Sequence, residues 1–225
     1  MVIKIVTMKS LTLLAFMMIM DWHIAIAQAP EYIFVFLNNK PDKAKLADEE
    51  VKKIMDGHMA NIGRLAKEGK LISAGPFDGG GGIFIFKSGS IDQVREWLKT
   101  DPGVQANRWN LEVLPYYPQY GSVCAAKEPY QMVTYQFIRY APNITKDNIN
   151  QQTDLIKKHH DYLKEQRSST TVITEGVFGT TDGGILIVNG EMTNEVIEND
   201  PAVRQGFLAA EIKKLWIAKG AFCEK

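Results

Sequence analysis

Two histidines and two aspartates recur at matched places in this sequence and could work in pairs to accept a proton. His58 precedes a glycine-rich stretch and the dipeptide Asp101-Pro102, and His159 precedes Asp200-Pro201 in the same way. A carboxylate that accepts the imidazole N–H fixes the tautomer of the ring and leaves its other nitrogen to take a substrate proton. We therefore predict that His58 with Asp101, and His159 with Asp200, act as general base and orienting carboxylate.

Simpler roles for the same residues stay open at this point. An Asp-Pro step can end one helix and begin a turn, and a histidine on a helix can be a satisfied boundary residue. His160 could also replace His159, because the pair offers either face of the helix. The recurrence of both residue types at matched places brings the catalytic interpretation level with the simpler one, although shared ancestry alone preserves some identities.

Other chemistries fit the sequence poorly. His159, His160 and Asp161 suggest a metal, but adjacent helix residues point apart and no third ligand is evident. The four glycines after Asp78 resemble a phosphate loop only superficially, because a strand follows them and no lysine closes the motif. The sequence has no G-x-S-x-G element typical of hydrolases. We predict neither a metal nor a cofactor.

The residues around the two pairs form an internal repeat. The stretches from His58 to Phe77 and from His159 to Phe178 align without a gap, which indicates a tandem duplication. Ala74-Gly75-Pro76 in the first copy becomes Glu175-Gly176-Val177 in the second. If one copy has lost function, the first is the better candidate for activity.

Hydrophobic periodicity predicts the order β-α-β-β-α-β in each copy, the ferredoxin-like arrangement. A four-stranded sheet with helices on one face leaves its other face uncovered, and two such units in one chain can cover each other. The predicted organisation is a signal peptide at residues 1–27, a first unit at 31–117, a linker at 118–129 and a second unit at 130–218.

The N-terminus has the layout of a secretory signal peptide. Lys4 and Lys9 precede the apolar run from Leu11 to Met20, and Ala25-Ile26-Ala27 supplies a small-x-small cleavage site. A membrane anchor is the alternative, but the run is too short to span a bilayer. We expect export, to the periplasm or to the medium.

The two cysteines are compatible with export. Cys223 follows the last strand of the second unit and Cys124 precedes its first strand, and these strands are antiparallel neighbours in a ferredoxin-like unit. The two could form a disulfide in an oxidising compartment, or they could be unrelated, and the sequence leaves both open.

Charge limits the class of partner. The 225 residues include 26 basic and 26 acidic side chains, and the formal net charge is zero. A neutral chain without a basic stripe argues against a nucleic-acid partner, and against a membrane partner once the signal is removed. A small-molecule ligand remains, and association into homo-oligomers is left open.

Several features together resemble the YCII-related family, a member of the dimeric α/β-barrel superfamily. They are the helix histidine, the G-x-L-x-x-A-G-P pattern from Gly69 to Pro76, the glycine turn, the Asp-Pro step and Glu112 to Pro115. The resemblance covers residues 31–117 and extends more weakly over 130–218. It implies an α+β fold in which two tandem ferredoxin-like βαββαβ units form an intramolecular dimeric α/β-barrel pseudo-dimer. It also implies a cleft between sheet and helix with a His–Asp pair in each unit.

The resulting hypothesis is a cofactor-independent lyase or isomerase that acts on a small cyclic or phenolic compound. One alternative is a non-catalytic module that binds a small molecule or serves a structural role. Another is a cofactor-independent monooxygenase of the same superfamily, for which fold alone is weak support.

Overall fold

The first half of the chain begins with an apolar strand and alternates strands with amphipathic helices. The computed structural model describes residues 30–168 and 171–224, so the predicted signal peptide lies outside the described residues. The elements of the first half are β1 (Tyr32–Asn39), α1 (Asp48–Lys67), β2 (Leu71–Pro76), β3 (Gly82–Lys87), α2 (Ile91–Leu98), α3 (Pro102–Gln105) and β4 (Trp109–Tyr120).

The second half repeats this order of elements. A short 3₁₀ turn (Ile149–Gln151) precedes its long helix. The elements are β5 (Met132–Pro142), α4 (Gln152–Gln166), β6 (Val172–Val177), β7 (Gly184–Val188), α5 (Asn194–Glu198), α6 (Pro201–Arg204) and β8 (Leu208–Ala218). No helix in the described residues is long and apolar enough to span a membrane.

The described strands form one antiparallel sheet with the order β2-β3-β1-β4-β6-β7-β5-β8. Each half contributes four neighbouring strands, and β4 and β6 join the halves through the pairs Tyr117–Val177 and Pro118–Gly176. At the other end, β2 approaches β8 with one isolated bridge, Phe77–Leu215. The sheet therefore curls into a barrel with one hydrogen-bonded seam and one looser seam. The predicted fold class is confirmed.

Three apolar clusters stabilise this arrangement. One fills the barrel, where Phe34 and Phe36 of the first half meet Phe137 and Phe178 of the second. The other two lie between each half's sheet and its helices. Burial of apolar surface is the main favourable contribution to folding. The halves share the core inside the barrel, and each half also has a core between its sheet and its helices, beside which its His–Asp pair lies.

A disulfide joins the beginning and the end of the second half. Cys124 and Cys223 are bonded, with their Cα atoms 5.2 Å apart. The Cys124 N–H also donates to the Ala221 carbonyl at 2.9 Å. Of the two possibilities that the sequence left open, the structure shows the bridge.

Candidate active site

Helix α1 places His58 on its buried face. Acidic residues fill the first turn of the helix and basic residues the last, which complements the helix dipole. Gly69 follows with φ +68°, the left-handed conformation in which helices commonly end. Within α1, His58, Asn61 and Leu65 are buried, and their spacing of three and four residues puts them on one face.

The Asp-Pro step places the carboxylate of Asp101 opposite this face. Asp101 is the N-cap of the short helix α3, and Pro102 occupies the first turn. The side chain of Asp101 accepts hydrogen bonds from the backbone N–H of Gly103 at 2.8 Å and of Val104 at 3.1 Å. The cap therefore fixes the direction of the carboxylate, so capping and pairing with the histidine are compatible roles.

The His58–Asp101 pair is formed and buried. Nδ1 of His58 lies 2.8 Å from Oδ2 and 3.0 Å from Oδ1 of Asp101. The two residues are 6% and 1% exposed. Asn61 Nδ2 donates to Oδ2 of the same carboxylate at 3.2 Å. Arg64 donates to the Asn61 oxygen at 2.7 Å, which turns the Asn61 amide group toward Asp101.

These contacts keep Asp101 ionised. Burial by itself raises the pKa of this carboxyl, but the hydrogen bonds and charge of His58, the Val104 N–H and Asn61 outweigh burial and hold the pKa below its ordinary value. An ionised carboxylate only accepts hydrogen bonds, so Nδ1 of His58 donates, and in the neutral form of the ring Nε2 carries the lone pair. Among the described residues Nε2 has no hydrogen-bond partner.

His58 lines a cleft of about 570 Å³ beside α1. The lining is mainly apolar, and its larger members are Met55, Ile62, Phe84, Trp109, Met132 and Trp216. Trp109 and Phe84 flank the imidazole, with ring centroids 4.8 Å and 5.7 Å from it. A cleft of this size with few polar groups is typical of a small-molecule site.

The glycine turn forms one wall of this cleft. Gly79, Gly80 and Gly81 have positive φ values, and Gly80 to Gly82 line the cleft. A Cβ on Gly81 would lie 2.3 Å from the Leu37 carbonyl oxygen. The turn therefore needs glycine for its own backbone path, and it leaves the cleft wall without side chains.

The second pair is formed but enclosed. Nδ1 of His159 lies 2.6 Å from Asp200 Oδ2, and both residues are 0% exposed. Nε2 of His159 lies 3.0 Å from the Gly183 carbonyl. Both ring nitrogens are thus engaged by protein acceptors, and neither is available to a ligand in this arrangement.

A tyrosine fills the second half where the first half has a cleft. Strand register pairs Leu37 with Gly82 and Tyr140 with Gly184, so Leu37 and Tyr140 occupy corresponding positions. The Tyr140 ring lies 4.8 Å from the His159 ring and is 0% exposed. The larger side chain therefore covers His159.

His160 does not take the place of His159 beside Asp200. Its Nδ1 lies 3.8 Å from Glu175, which also accepts a hydrogen bond from Arg167 at 2.7 Å. Burial raises the pKa of Glu175, yet the nearby His160 and Arg167 outweigh burial and lower it. Of the two adjacent histidines, the one aligned with His58 is therefore the one that meets an aspartate.

Sequence reasoning missed five residues of the first site. Asn61 follows His58 by one helical turn, a spacing that could have identified it. Trp109 and Arg108 follow Asp101 closely in the chain and line the cleft. Met132 and Trp216 come from the second half and carry no local signal. Among the described residues, no three histidine, cysteine or acidic side chains meet in a way that could hold a metal.

Comparison with known proteins gives a family match within the first half. The sequence profile of the YCII-related domain matches residues 32–116, from β1 to β4. No curated protein matches the sequence. A provisionally assigned monooxygenase from Lactobacillus acidophilus NCFM is similar in structure, with 13% identity and a TM-score of 0.40, over 84% of this chain and 94% of that chain.

A provisionally assigned monooxygenase from Fusobacterium nucleatum is similar to the same degree. It has 10% identity and a TM-score of 0.40, over 85% of this chain and 94% of its own. Neither likeness bears on the chemistry of the site.

Proposed function

We propose that the first half of this protein is a lyase or isomerase that removes a proton from a small cyclic or phenolic compound without a cofactor. One observation carries the proposal: His58 donates through Nδ1 to a buried carboxylate, and its Nε2, at an apolar cleft, has no partner in the part of the chain that the structure describes. A general base needs this combination of a fixed tautomer and a free nitrogen.

The proposed reaction begins with proton transfer to Nε2 of His58. In an elimination, the electrons of the broken C–H bond form a C=C bond, and the leaving group departs from the adjacent carbon with its bonding pair. In an isomerisation, the imidazolium returns the proton to a different carbon. Asp101 stabilises the imidazolium in either case, because its carboxylate lies 2.8 Å from Nδ1.

The apolar lining supports a ring compound as substrate. Trp109 and Phe84 flank the imidazole, and flat aromatic faces pack favourably against unsaturated rings. Exclusion of water by these groups strengthens the electrostatic effect of Asp101 on the charged ring.

We propose further that the two halves arose by duplication and that the second half now serves as a scaffold. The repeated order of elements and the second His–Asp pair support a common origin. The enclosure of His159 by Tyr140 and Gly183 supports the loss of a second cleft.

We also propose that the protein acts outside the cytoplasm. The Cys124–Cys223 bridge supports this, because structural disulfides persist in oxidising compartments. The charged and apolar pattern of residues 1–27 supports the same location.

A substrate screen tests the proposed reaction. Purified protein is incubated with halogenated phenols, unsaturated lactones and cyclic enols, and products are followed by NMR beside His58→Ala and Asp101→Asn. We expect turnover of at least one compound by the wild type, and losses of about 10²- to 10⁴-fold in both variants. Equal turnover by all three proteins would exclude the pair as the base. Binding of ring compounds to wild type without turnover would favour the non-catalytic binding module.

A further inference from the structure

The cleft beside His58 carries charge of one sign. Within residues 30–168 and 171–224, the lysine and arginine that line it are Lys43 and Arg108, and no aspartate or glutamate lines it. The whole chain has equal numbers of basic and acidic residues, so the positive lining is a local feature. Asp101 lies behind the imidazole and is 1% exposed.

Arg108 is anchored but retains most of its hydrogen-bonding capacity. Its NH1 donates to the Ala44 carbonyl at 2.9 Å, which ties the loop before α1 to the start of β4. A guanidinium has five N–H donors, and within the described residues no carboxylate lies within ion-pair distance of Arg108. By contrast, Arg139 is held by both oxygens of Asp182 and Arg167 by Glu175.

The residue that corresponds to Arg108 in the second half, where the histidine is enclosed, is apolar. Asn107 and Gly206 each have positive φ and each follows an Asp-Pro helix, so the residues after them correspond. Arg108 therefore corresponds to Phe207, which is 0% exposed in the second core. The first half therefore has the charged Arg108 at its cleft, and the second half has the buried Phe207 at the corresponding position.

We infer that this cleft binds a small monoanionic acid, with its unsaturated apolar body against Trp109 and Trp216 and its carboxylate at Arg108, assisted by Lys43. Arginine matches a carboxylate geometrically because two parallel N–H groups can bind its two oxygens. The inference rests on the proposed function in that it concerns the same cleft. Binding of the acid does not itself require His58 to act as a base.

Matched acids and amides test this specificity. The probes are benzoate with benzamide, phenylacetate with phenylacetamide, and cinnamate with cinnamamide, titrated to millimolar concentration. Binding is followed through the indole N–H signals of Trp109 and Trp216 in NMR spectra. Trp97 packs on Phe86 and does not line the cleft, so its signal serves as an internal control.

We expect at least one acid to shift the Trp109 and Trp216 signals and to bind about tenfold or more tightly than its amide. Arg108→Gln should remove this preference. Arg204→Gln removes the same charge from an exposed position in the second half and should preserve it. Equal binding of acids and amides, an unchanged preference in Arg108→Gln, or no binding of any acid would overturn the inference.

The variant His58→Gln separates this inference from the proposed reaction. Acid binding that persists in His58→Gln, together with no turnover by the wild type, supports the inference and counts against the reaction. Turnover that depends on His58, without any preference for acids over amides, supports the reaction and overturns the inference.

Discussion

His58 and His159 each pair with an aspartate, but the second ring nitrogen has a protein acceptor only in His159 among the described residues. His58 and His159 both engage an aspartate through Nδ1, but Nε2 of His159 is also held by the Gly183 carbonyl. The sequence predicts both pairs, since the spacing from histidine to Asp-Pro is nearly the same. The sequence does not predict which of the two histidines keeps Nε2 available. That depends on the residue at one position of the first strand of each half, which is Leu37 in the first half and Tyr140 in the second, far along the chain from the histidine.

The lowered pKa of Asp101 makes its contribution to stability depend on pH. A carboxyl whose pKa is lower in the folded state stabilises fully above its unfolded pKa of about 3.9, and this stabilisation is lost as pH falls through the folded value. Asp101→Asn should lower the free energy of unfolding by roughly 1–3 kcal/mol near pH 5. Urea unfolding of both proteins should show this gap shrinking as the pH falls below the unfolded pKa and Asp101 becomes protonated in the folded protein. A gap that stays constant or widens on acidification would contradict the assignment.

At the scale of elements, local patterns predict much of the fold. Apolar runs and helical periodicity predict the order of the strands and long helices in each half. The short helices α3 and α6 were predicted only as Asp-Pro steps, because four residues show no periodicity. Strand β4 extends to Tyr120, into the predicted linker, because its last residues pair with β6 of the other half. Such pairing is not visible in a local pattern.

The looser seam depends on a glycine in β2. A Cβ on Gly75 would lie 2.6 Å from the Trp216 carbonyl oxygen and 3.1 Å from Ile217 Cβ. Gly75→Ala should therefore push β8 away and lower the free energy of unfolding by about 1–3 kcal/mol. Thermal and urea unfolding measure this change.

Gly63 supplies a matched control for the same substitution. It is exposed in α1, and nothing lies within 4 Å of an added Cβ. Gly63→Ala should raise stability by about 0.5–1 kcal/mol, because alanine favours helix. A Gly75→Ala protein as stable as Gly63→Ala would show that β2 and β8 do not pack as closely as described.

At the scale of the whole molecule, the two halves contribute differently to the seams and to the cleft. The β4–β6 seam is hydrogen bonded, whereas the β2–β8 seam has one isolated bridge and supplies Trp216 to the cleft. The second half thus builds part of the wall of the first half's site. The sequence predicts a pseudo-dimer of two units, but this division depends on contacts between halves that no local pattern encodes.

The disulfide should contribute measurably to the stability of this assembly. Cys124 and Cys223 are 99 positions apart, and closing a long loop restricts the unfolded chain. Reduction, or replacement of both cysteines by serine, should lower the free energy of unfolding by about 2–4 kcal/mol. As a control, the protein is treated with an alkylating reagent with and without prior reduction, and its intact mass shows whether the two cysteines are free. An alkylated mass in the absence of reductant would contradict the bridge.

We propose that the chemistry belongs to His58 and not to His159, and one comparison of rates tests this. Turnover of the best compound from the screen is measured for His58→Gln and His159→Gln, per mole of folded protein as determined by circular dichroism. We predict that His58→Gln loses about 10²-fold or more, while His159→Gln is less stable but keeps the wild-type rate. Wild-type turnover by folded His58→Gln, or lost turnover in folded His159→Gln, would contradict the account.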